Sequence, residues 1–252
     1  MQNWKKFKVE LTTEAPFRIG GVRPIPGTTD VDSSVVKLGN KIVIQGTSLK
    51  GTFRAELERF LIDNYFKDKK RWHNPWMKPC IPADVKTISP DEKQLLNKGF
   101  YKYSCSYPKS DDYICPVCYL LCARGLVGYA RIPFLNLIKG GVEQLQFIRE
   151  DRIIGTSARG ERGALGKFEA IPADSKFEGY SSILEVDDIT GWRLGEKRSL
   201  AESQGDRWLE SGLWNREKIL KELVIERLIS IKTMGGFRSK GFGDVKIIIT
   251  SS

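Results

Sequence analysis

The sequence predicts an α+β fold, because segments with the two-residue alternation of a β-strand and segments with the spacing of an amphipathic helix follow one another along its 252 residues. Hydrophobic residues form 40% of the chain, which is enough for the core of one large domain. No internal repeat or low-complexity tract divides the sequence. We therefore expect a single domain over residues 1–252 that carries two protrusions.

The regular elements are predicted from the spacing of their apolar residues. Residues 6–11 alternate polar and apolar side chains, as a half-buried strand does, and residues 41–45 form a second, shorter strand. Thr47 or Ser48 is the expected N-cap of the helix that follows, because a hydroxyl at this position can accept a free backbone N–H. A second amphipathic helix covers about residues 215–231.

Two segments interrupt these regular elements. Residues 63–118 have weak periodicity, so we interpret them as an inserted lobe that needs a metal staple to fold. Residues 146–186 are interpreted as a long β-hairpin with a basic, glycine-rich tip. With a closing strand at residues 245–249, the order suits a βαββαβ ferredoxin-like (RRM-like) palm that carries these insertions.

The charge balance favours a polyanionic partner. Lys and Arg number 41 against 31 Asp and Glu, and the resulting charge of +10 suits a nucleic acid, whose phosphates release counterions when they are neutralised. The alternative is an ordinary basic enzyme. The sequence has no apolar run of membrane-spanning length and no signal-peptide core, and its cysteine number is odd, so we expect a cytoplasmic protein.

Residues 235–243 are the strongest candidate for contact with a nucleic-acid backbone. Gly235 and Gly236 open a segment with four glycines, and glycine lets backbone N–H groups approach phosphates closely. Arg238 and Lys240 add positive charge and Ser239 adds a hydroxyl donor, while the segment's two phenylalanines are expected to stack on bases. The alternative is a flexible turn between a helix and a strand.

Two further basic segments are candidate RNA contacts. Ser48, Lys50 and Arg54 lie at the start of a predicted helix, where free N–H groups and the helix dipole favour an anion, although an ordinary capped helix is the alternative. The hairpin tip could cross a nucleic-acid strand, although a solvated loop has the same composition. Its candidate contacts are Arg152, Arg159 and Arg162.

The cysteines predict a structural zinc site. A Cys-x-x-Cys pair needs a second pair of ligands to complete a tetrahedral site, unless it is a redox pair. His73 is the alternative fourth ligand, and Cys122, within an apolar run, is interpreted as a small buried residue. The candidate ligands are Cys80, Cys105, Cys115 and Cys118.

Two carboxylates could carry chemistry. Asp30 and Asp32 lie in a polar loop after Gly20 and Gly21, and a carboxylate there could orient a ribose 2′-hydroxyl or hold a divalent metal ion such as Mg²⁺. Such residues are more often turn formers. The sole histidine excludes a two-histidine ribonuclease mechanism within one chain.

Taken in order, these segments resemble the RAMP superfamily of CRISPR-associated proteins, and most of all the backbone subunit of type III (Csm/Cmr-like) effector complexes. The matching segments span almost the whole sequence, with the weakest match in residues 63–104. They are residues 17–21, 31–36, 46–54, 115–118, 151–173 and 235–243.

The resemblance implies a subunit of an antiviral ribonucleoprotein complex that stacks with copies of itself and other RAMP subunits along a CRISPR guide RNA. It implies that the hairpin at residues 149–168 is a thumb that crosses the duplex of guide and target RNA. Arg18, within the first matching segment, would contact RNA, and Ser48, Lys50 and Arg54 would hold guide phosphates together with the glycine-rich loop.

The resemblance also implies endoribonuclease activity on target RNA. Asp32 matches the aspartate that cuts with a divalent metal ion in the members of this family that cleave. Ser34 stands where those members usually have proline, which leaves Asp30 as the alternative. Since several members with this fold only bind RNA, the alternative function is a non-catalytic scaffold in the same complex.

Overall fold

A mixed architecture of helices and antiparallel strands confirms the predicted class. The computed structural model describes residues 1–20, 34–67, 71–84, 86–108, 113–149, 164–200 and 204–251. The strands within these ranges are β1 (Gln2–Thr13), β2 (Lys37–Leu38), β3 (Lys41–Ile44), β4 (Phe66–Lys67), β5 (Arg71–Trp72), β6 (Ala130–Arg131), β7 (Leu135–Lys139), β8 (Glu143–Arg149), β9 (Ala164–Ala170), β10 (Lys176–Asp187), β11 (Trp192–Arg193) and β12 (Val245–Ser251).

The helices lie between these strands. A π-helical segment, Ile219–Ile225, joins the last two of them, and three 3-10 turns lie at Pro75–Met77, Arg207–Ser211 and Arg238–Lys240. The α-helices are α1 (Gly46–Tyr65), α2 (Pro90–Asn97), α3 (Pro116–Leu121), α4 (Arg216–Lys218) and α5 (Glu226–Ile229). No helix in the described ranges has the length and apolar character that crossing a membrane requires.

The main sheet is built around β1. Its strands lie in the order β12-β1-β10-β7-β3-β2, and β6 and β11 pair with β10. Leu11 of β1 lies opposite Phe177 of β10 and Ile247 of β12, and all three side chains are buried. Alternate residues of β1 therefore face the core, as the two-residue period of the sequence predicts. The α1 side chains that join this core are Leu49, Phe53, Leu57 and Leu61.

The first helix, α1, begins at Gly46, one residue before Thr47, the first of the two predicted N-cap residues. Gln45 is at the N-cap position, without a capping side-chain hydrogen bond, so the prediction of Thr47 or Ser48 is wrong. Gly46 starts the helix against the chain at residues 132–133, where a Cβ atom would lie 2.6 Å from the carbonyl oxygen of Ile132. The close approach of two backbones therefore favours glycine at the first position of this helix.

The long hairpin is shorter than predicted and is shifted along the chain. Its paired strands are β8 and β9, with Leu145 opposite Phe168. The C-terminal part of the predicted range, residues 176–186, belongs instead to β10 in the main sheet, because every second residue from Phe177 to Ile183 is buried against the core. The tip, with Arg152, Arg159 and Arg162, lies outside the described residues.

Candidate metal centre and nucleic-acid interface

Four buried cysteines come together beside the start of α3. Their sulfur atoms all lie within 4.8 Å of one another. The sulfurs of Cys80 and Cys118 are 3.3 Å apart. A tetrahedral zinc site, with Zn–S bonds of about 2.3 Å, separates its sulfurs by roughly 3.8 Å, which lies between these two distances. The group could therefore hold a metal ion, and its members are Cys80, Cys105, Cys115 and Cys118.

Local backbone structure positions these thiols. Cys115 is the N-cap of α3, and its sulfur accepts the backbone N–H of Cys118 at 3.5 Å. The sulfur of Cys105 accepts the backbone N–H of Cys115 at 3.4 Å. Cys80 forms a parallel bridge with Lys102. N–H donors directed at sulfur favour the thiolate form that a metal ion requires.

The electrostatics of the cluster also favour a cation at its centre. Burial raises the pKa of the Cys115 thiol well above its usual range. Hydrogen bonds from the other three cysteines lower the pKa of Cys80. The buried thiols therefore cannot all ionise by themselves, and a bound cation would supply the compensating charge.

The other two residues considered for this site lie outside it. His73 is exposed and is not part of the four-residue group. Cys122 is exposed, so its predicted burial is wrong. It follows the last residue of α3 and has a φ of +137°, in a backbone region that residues other than glycine rarely adopt. Its sulfur lies 3.3 Å from Nζ of Lys50. The end of the short helix turns this side chain outward.

Lys50 and Arg54 meet the cysteine cluster from α1. Both line a cleft of about 710 Å³ beside it, together with Thr47, Tyr103 and Arg124. Ser48 is half-buried on the same helical turn. The charged residues that line the cleft are Lys50, Arg54, Arg124 and Asp84, so positive charge predominates there.

Arg54 forms an ion pair with Glu58, 2.7 Å from Nε to Oε1. Burial raises the pKa of Glu58 to about 7 against the opposing charge of Arg54. Burial works against the charged form of Arg54, but Cys118 and Glu58 outweigh it and raise the pKa of the guanidinium.

The glycine-rich loop of residues 235–243 is anchored to the chain that follows β1. Gly236 donates its backbone N–H to the Arg18 carbonyl at 2.9 Å, and Gly243 donates to the Pro16 carbonyl at 3.0 Å. Gly243 has a φ of +93°, and a Cβ atom there would lie 2.3 Å from the carbonyl oxygen of Met234. The loop therefore requires glycine at this position, both for conformation and for space.

The charged part of this loop is presented to solvent. Residues Arg238–Lys240 form one 3-10 turn, and all three side chains are exposed. Phe237 and Phe242 are half-buried and pack on the hairpin residue Phe168, with ring centres 5.2 and 6.0 Å from it, and their stacking on bases stays a prediction.

Arg18 joins the loop to the hairpin. Its guanidinium carbon lies 4.4 Å from the ring centre of Phe237 and 5.4 Å from that of Phe168. Burial lowers the pKa of this guanidinium. The sequence predicts Arg18 as an RNA contact only through the family resemblance, and Phe168 is not among the predicted contacts.

Both ends of the segment that contains the two candidate catalytic carboxylates lie beside the same junction. Gly20 forms an antiparallel bridge with Val35, and these two residues flank residues 21–33. The backbone N–H of Val35 donates to the carboxylate of Glu169 in β9 at 2.9 Å. Asp30 and Asp32 themselves lie outside the described residues.

The family model of the RAMP superfamily matches residues 10–246 of the chain. The chain belongs to the RAMP superfamily. The predicted family resemblance is thereby confirmed. None of the curated proteins matches the chain.

Solved structures share the fold of this RAMP chain. One similar structure is a chain of the type III-B Cmr-beta complex, determined by cryo-electron microscopy with cognate target RNA bound, at a TM-score of 0.52 and 11% sequence identity. The match covers 98% of this chain and 61% of that one, so our chain spans about three fifths of its length. At this identity the similarity establishes the fold.

The predicted RNA contacts that fall within the described ranges lie in two groups. Arg18 lies with the glycine-rich loop and the base of the hairpin. Lys50 and Arg54 lie with the cysteine cluster and line its cleft. The RNA-binding role of each remains a prediction, and the structure shows what holds each side chain in place.

Proposed function

We propose that the chain is a guide-RNA-binding backbone subunit of a CRISPR type III interference complex. The observation that carries the proposal is the anchored glycine-rich loop, which presents Arg238, Ser239 and Lys240 to solvent next to the hairpin base of a RAMP fold. Cations on a rigid, glycine-rich backbone suit phosphate contact without base specificity. The similarity to a chain of a Cmr complex supports the type III assignment.

The palm of this subunit is ferredoxin-like (RRM-like) in our proposal. In chain order its elements are β1, α1, β7, β10, the α4–α5 helix and β12, and the four strands lie in the order β12-β1-β10-β7. A βαββαβ unit with its fourth strand beside the first supports this assignment. The β8–β9 hairpin is then the thumb, and residues 63–118 are the inserted lobe.

The inserted lobe is stapled by zinc in this proposal. Four buried thiols of suitable spacing, with no position left for water, are typical of a structural site and not of a catalytic one. Bound zinc would cross-link Cys80 and Cys105 to Cys115 and Cys118 at the start of α3. It would also contribute folding free energy to a segment that has little regular structure.

Guide RNA contacts are assigned to both basic groups. Arg18, Gly235 and Gly236 hold the loop that presents Arg238, Ser239 and Lys240, while Ser48 and Lys50 act from the start of α1. The arginines of the hairpin tip cross the duplex of guide and target RNA. Other RAMP subunits and copies of this chain complete the filament.

Target-RNA cleavage is assigned to Asp32, with Asp30 as the alternative carboxylate. The segment that contains both begins and ends at the Gly20–Val35 bridge, next to the base of the proposed thumb. A carboxylate beside a strained RNA strand could position Mg²⁺ and so promote attack by a 2′-hydroxyl or water. The second candidate function, a scaffold that only binds guide RNA, is favoured if this segment has a structural role.

One assay separates the two functions. The assembled complex is incubated with complementary target RNA and Mg²⁺, for wild type, Asp32→Ala and Asp30→Ala. We expect evenly spaced cuts in wild type and Asp30→Ala, and intact target with Asp32→Ala, while guide-RNA content stays the same in all three. Cuts that survive Asp32→Ala remove the assignment to this residue, and intact target in every sample favours the scaffold.

A further inference from the structure

Arg54 makes its polar contacts with the cysteine cluster and with a carboxylate on its own helix. Nη2 donates to the carbonyl oxygen of Cys80 at 2.8 Å and lies 3.5 Å from its sulfur. Nη1 lies 3.9 Å from the sulfur of Cys118. Nε lies 2.7 Å from Oε1 of Glu58 in an ion pair without hydrogen-bond geometry, and the Arg54 side chain is only 16% exposed.

We propose that Arg54 is a positioning residue of the metal centre and not a contact for RNA phosphate. This inference rests on the proposed metal occupancy of the four cysteines and deepens it. Four thiolates around a divalent cation carry a net charge of −2, and burying an uncompensated charge is unfavourable. A guanidinium against two of the sulfurs offsets part of that charge and donates N–H groups to the ligands.

The shape of the guanidinium explains why arginine suits this position. One planar group reaches the carbonyl oxygen and sulfur of Cys80 and the sulfur of Cys118, two ligands that come from different segments of the chain. A lysine ammonium is a point charge on a flexible stem and cannot hold this set of directions at once. The ion pair with Glu58 lies on the Nε side of the guanidinium.

The same contacts connect the metal centre to the proposed RNA surface. Arg54 lies in the third turn of α1, and Lys50 lies one turn before it, at the cleft. Because Arg54 joins α1 to Cys80 and Cys118, metal binding holds the start of α1 against the inserted lobe. In the proposed function Lys50, which lines the cleft together with Arg124, is the α1 cation that contacts phosphate.

Metal affinity gives the first test. We would measure competition for Zn²⁺ with a chromogenic chelator, and the thiolate-to-metal absorption of the Co²⁺-loaded protein, in wild type, Arg54→Gln and Arg54→Lys. Arg59→Gln is the matched control, since Arg59 is on the same helix, 66% exposed and paired with Glu56. We expect a 10- to 100-fold loss of metal affinity in Arg54→Gln, a smaller loss in Arg54→Lys and none in the control.

RNA binding gives the second test, on the zinc-loaded proteins. The logarithm of RNA affinity is plotted against that of salt concentration, and we expect the slope of Arg54→Lys and Arg54→Gln to equal that of wild type. A slope reduced by about 0.7 in Arg54→Gln, with unchanged metal affinity, would show a phosphate contact and overturn the inference. If Arg54→Gln does not fold, metal affinity of Arg54→Lys equal to wild type overturns it. Wild type without metal affinity would instead refute the zinc site itself.

Discussion

The carboxylate of Glu169 accepts the backbone N–H of Val35 at 2.9 Å and lies 3.9 Å from the ammonium of Lys37. This contact joins residues 134 positions apart in the sequence. It connects β9, at the base of the proposed thumb, to Val35, which follows the segment that contains Asp30 and Asp32. The proposed thumb and the proposed cleavage segment are therefore joined by one hydrogen bond.

Removing this acceptor should destabilise the protein. In Glu169→Ala the N–H of Val35, a residue that is 3% exposed, is left without its partner, and we expect the free energy of unfolding to fall by about 1–3 kcal/mol. Glu169→Gln keeps an oxygen acceptor and should lose less. Urea unfolding measures both. An equal loss in the two variants would mean that the charge near Lys37 matters more than the hydrogen bond.

Neutralising the loop cations should weaken RNA binding without regard to sequence. For Arg238→Ala combined with Lys240→Ala, we expect the slope of log affinity against log salt to fall by about 1.4, since each phosphate contact on a single strand contributes about 0.7. Fluorescence anisotropy over a salt series measures this slope. Lys93→Ala with Lys98→Ala, both exposed near α2, is the control. An unchanged slope in the loop variant would remove phosphate contact from this segment.

Two glycines of the same loop should respond differently to alanine. Gly243 has a φ of +93° with a carbonyl oxygen 2.3 Å from the position of an added Cβ atom, whereas Gly241 has a φ of +79° and open space around it. Gly241→Ala should cost about 1 kcal/mol of unfolding free energy through backbone strain alone, and Gly243→Ala should cost more. Thermal unfolding compares them, and similar losses would contradict the close approach to Met234.

The metal content should depend on the four clustered cysteines and not on the fifth. We expect elemental analysis to find one zinc ion per chain in wild type and in Cys122→Ser, and a large loss in Cys115→Ser. A chelator should lower the unfolding temperature of wild type towards that of Cys115→Ser. Zinc that is lost in Cys122→Ser and kept in Cys115→Ser would move the site away from the cluster.

The stability of the metal-free protein should fall with rising pH because of Glu58. Its pKa is raised from 4.5 to about 7 by burial, so the folded state keeps a proton that the unfolded state releases. Between these values the free energy of unfolding decreases as pH rises, by roughly 3 kcal/mol in total. Urea unfolding with chelator from pH 5 to pH 8 tests this, and Glu58→Gln should remove the slope. A slope that persists in Glu58→Gln assigns it to another group.

Short-range patterns were sufficient for the features that depend on neighbouring residues. The alternation of residues 6–11 predicted β1, and the four glycines with Arg238 and Lys240 predicted an exposed basic loop. The Cys-x-x-Cys pair, with its need for two more ligands, predicted the composition of the cluster. In each case the chemistry of a few adjacent side chains carries the information.

Long-range contacts decided the rest. Strand β10 looked like part of the hairpin, because alternation shows that one face is buried but does not show which strand lies beside it. Helical spacing placed Arg54 on α1 but could not show that its guanidinium turns towards Cys80 and Cys118, and the apolar run around Cys122 could not show that α3 ends there. The sequence by itself determined β1, the exposed basic loop and the composition of the cysteine cluster. Only the tertiary structure decided which distant segments each side chain meets, because those contacts form when the main sheet brings the ends of the chain together.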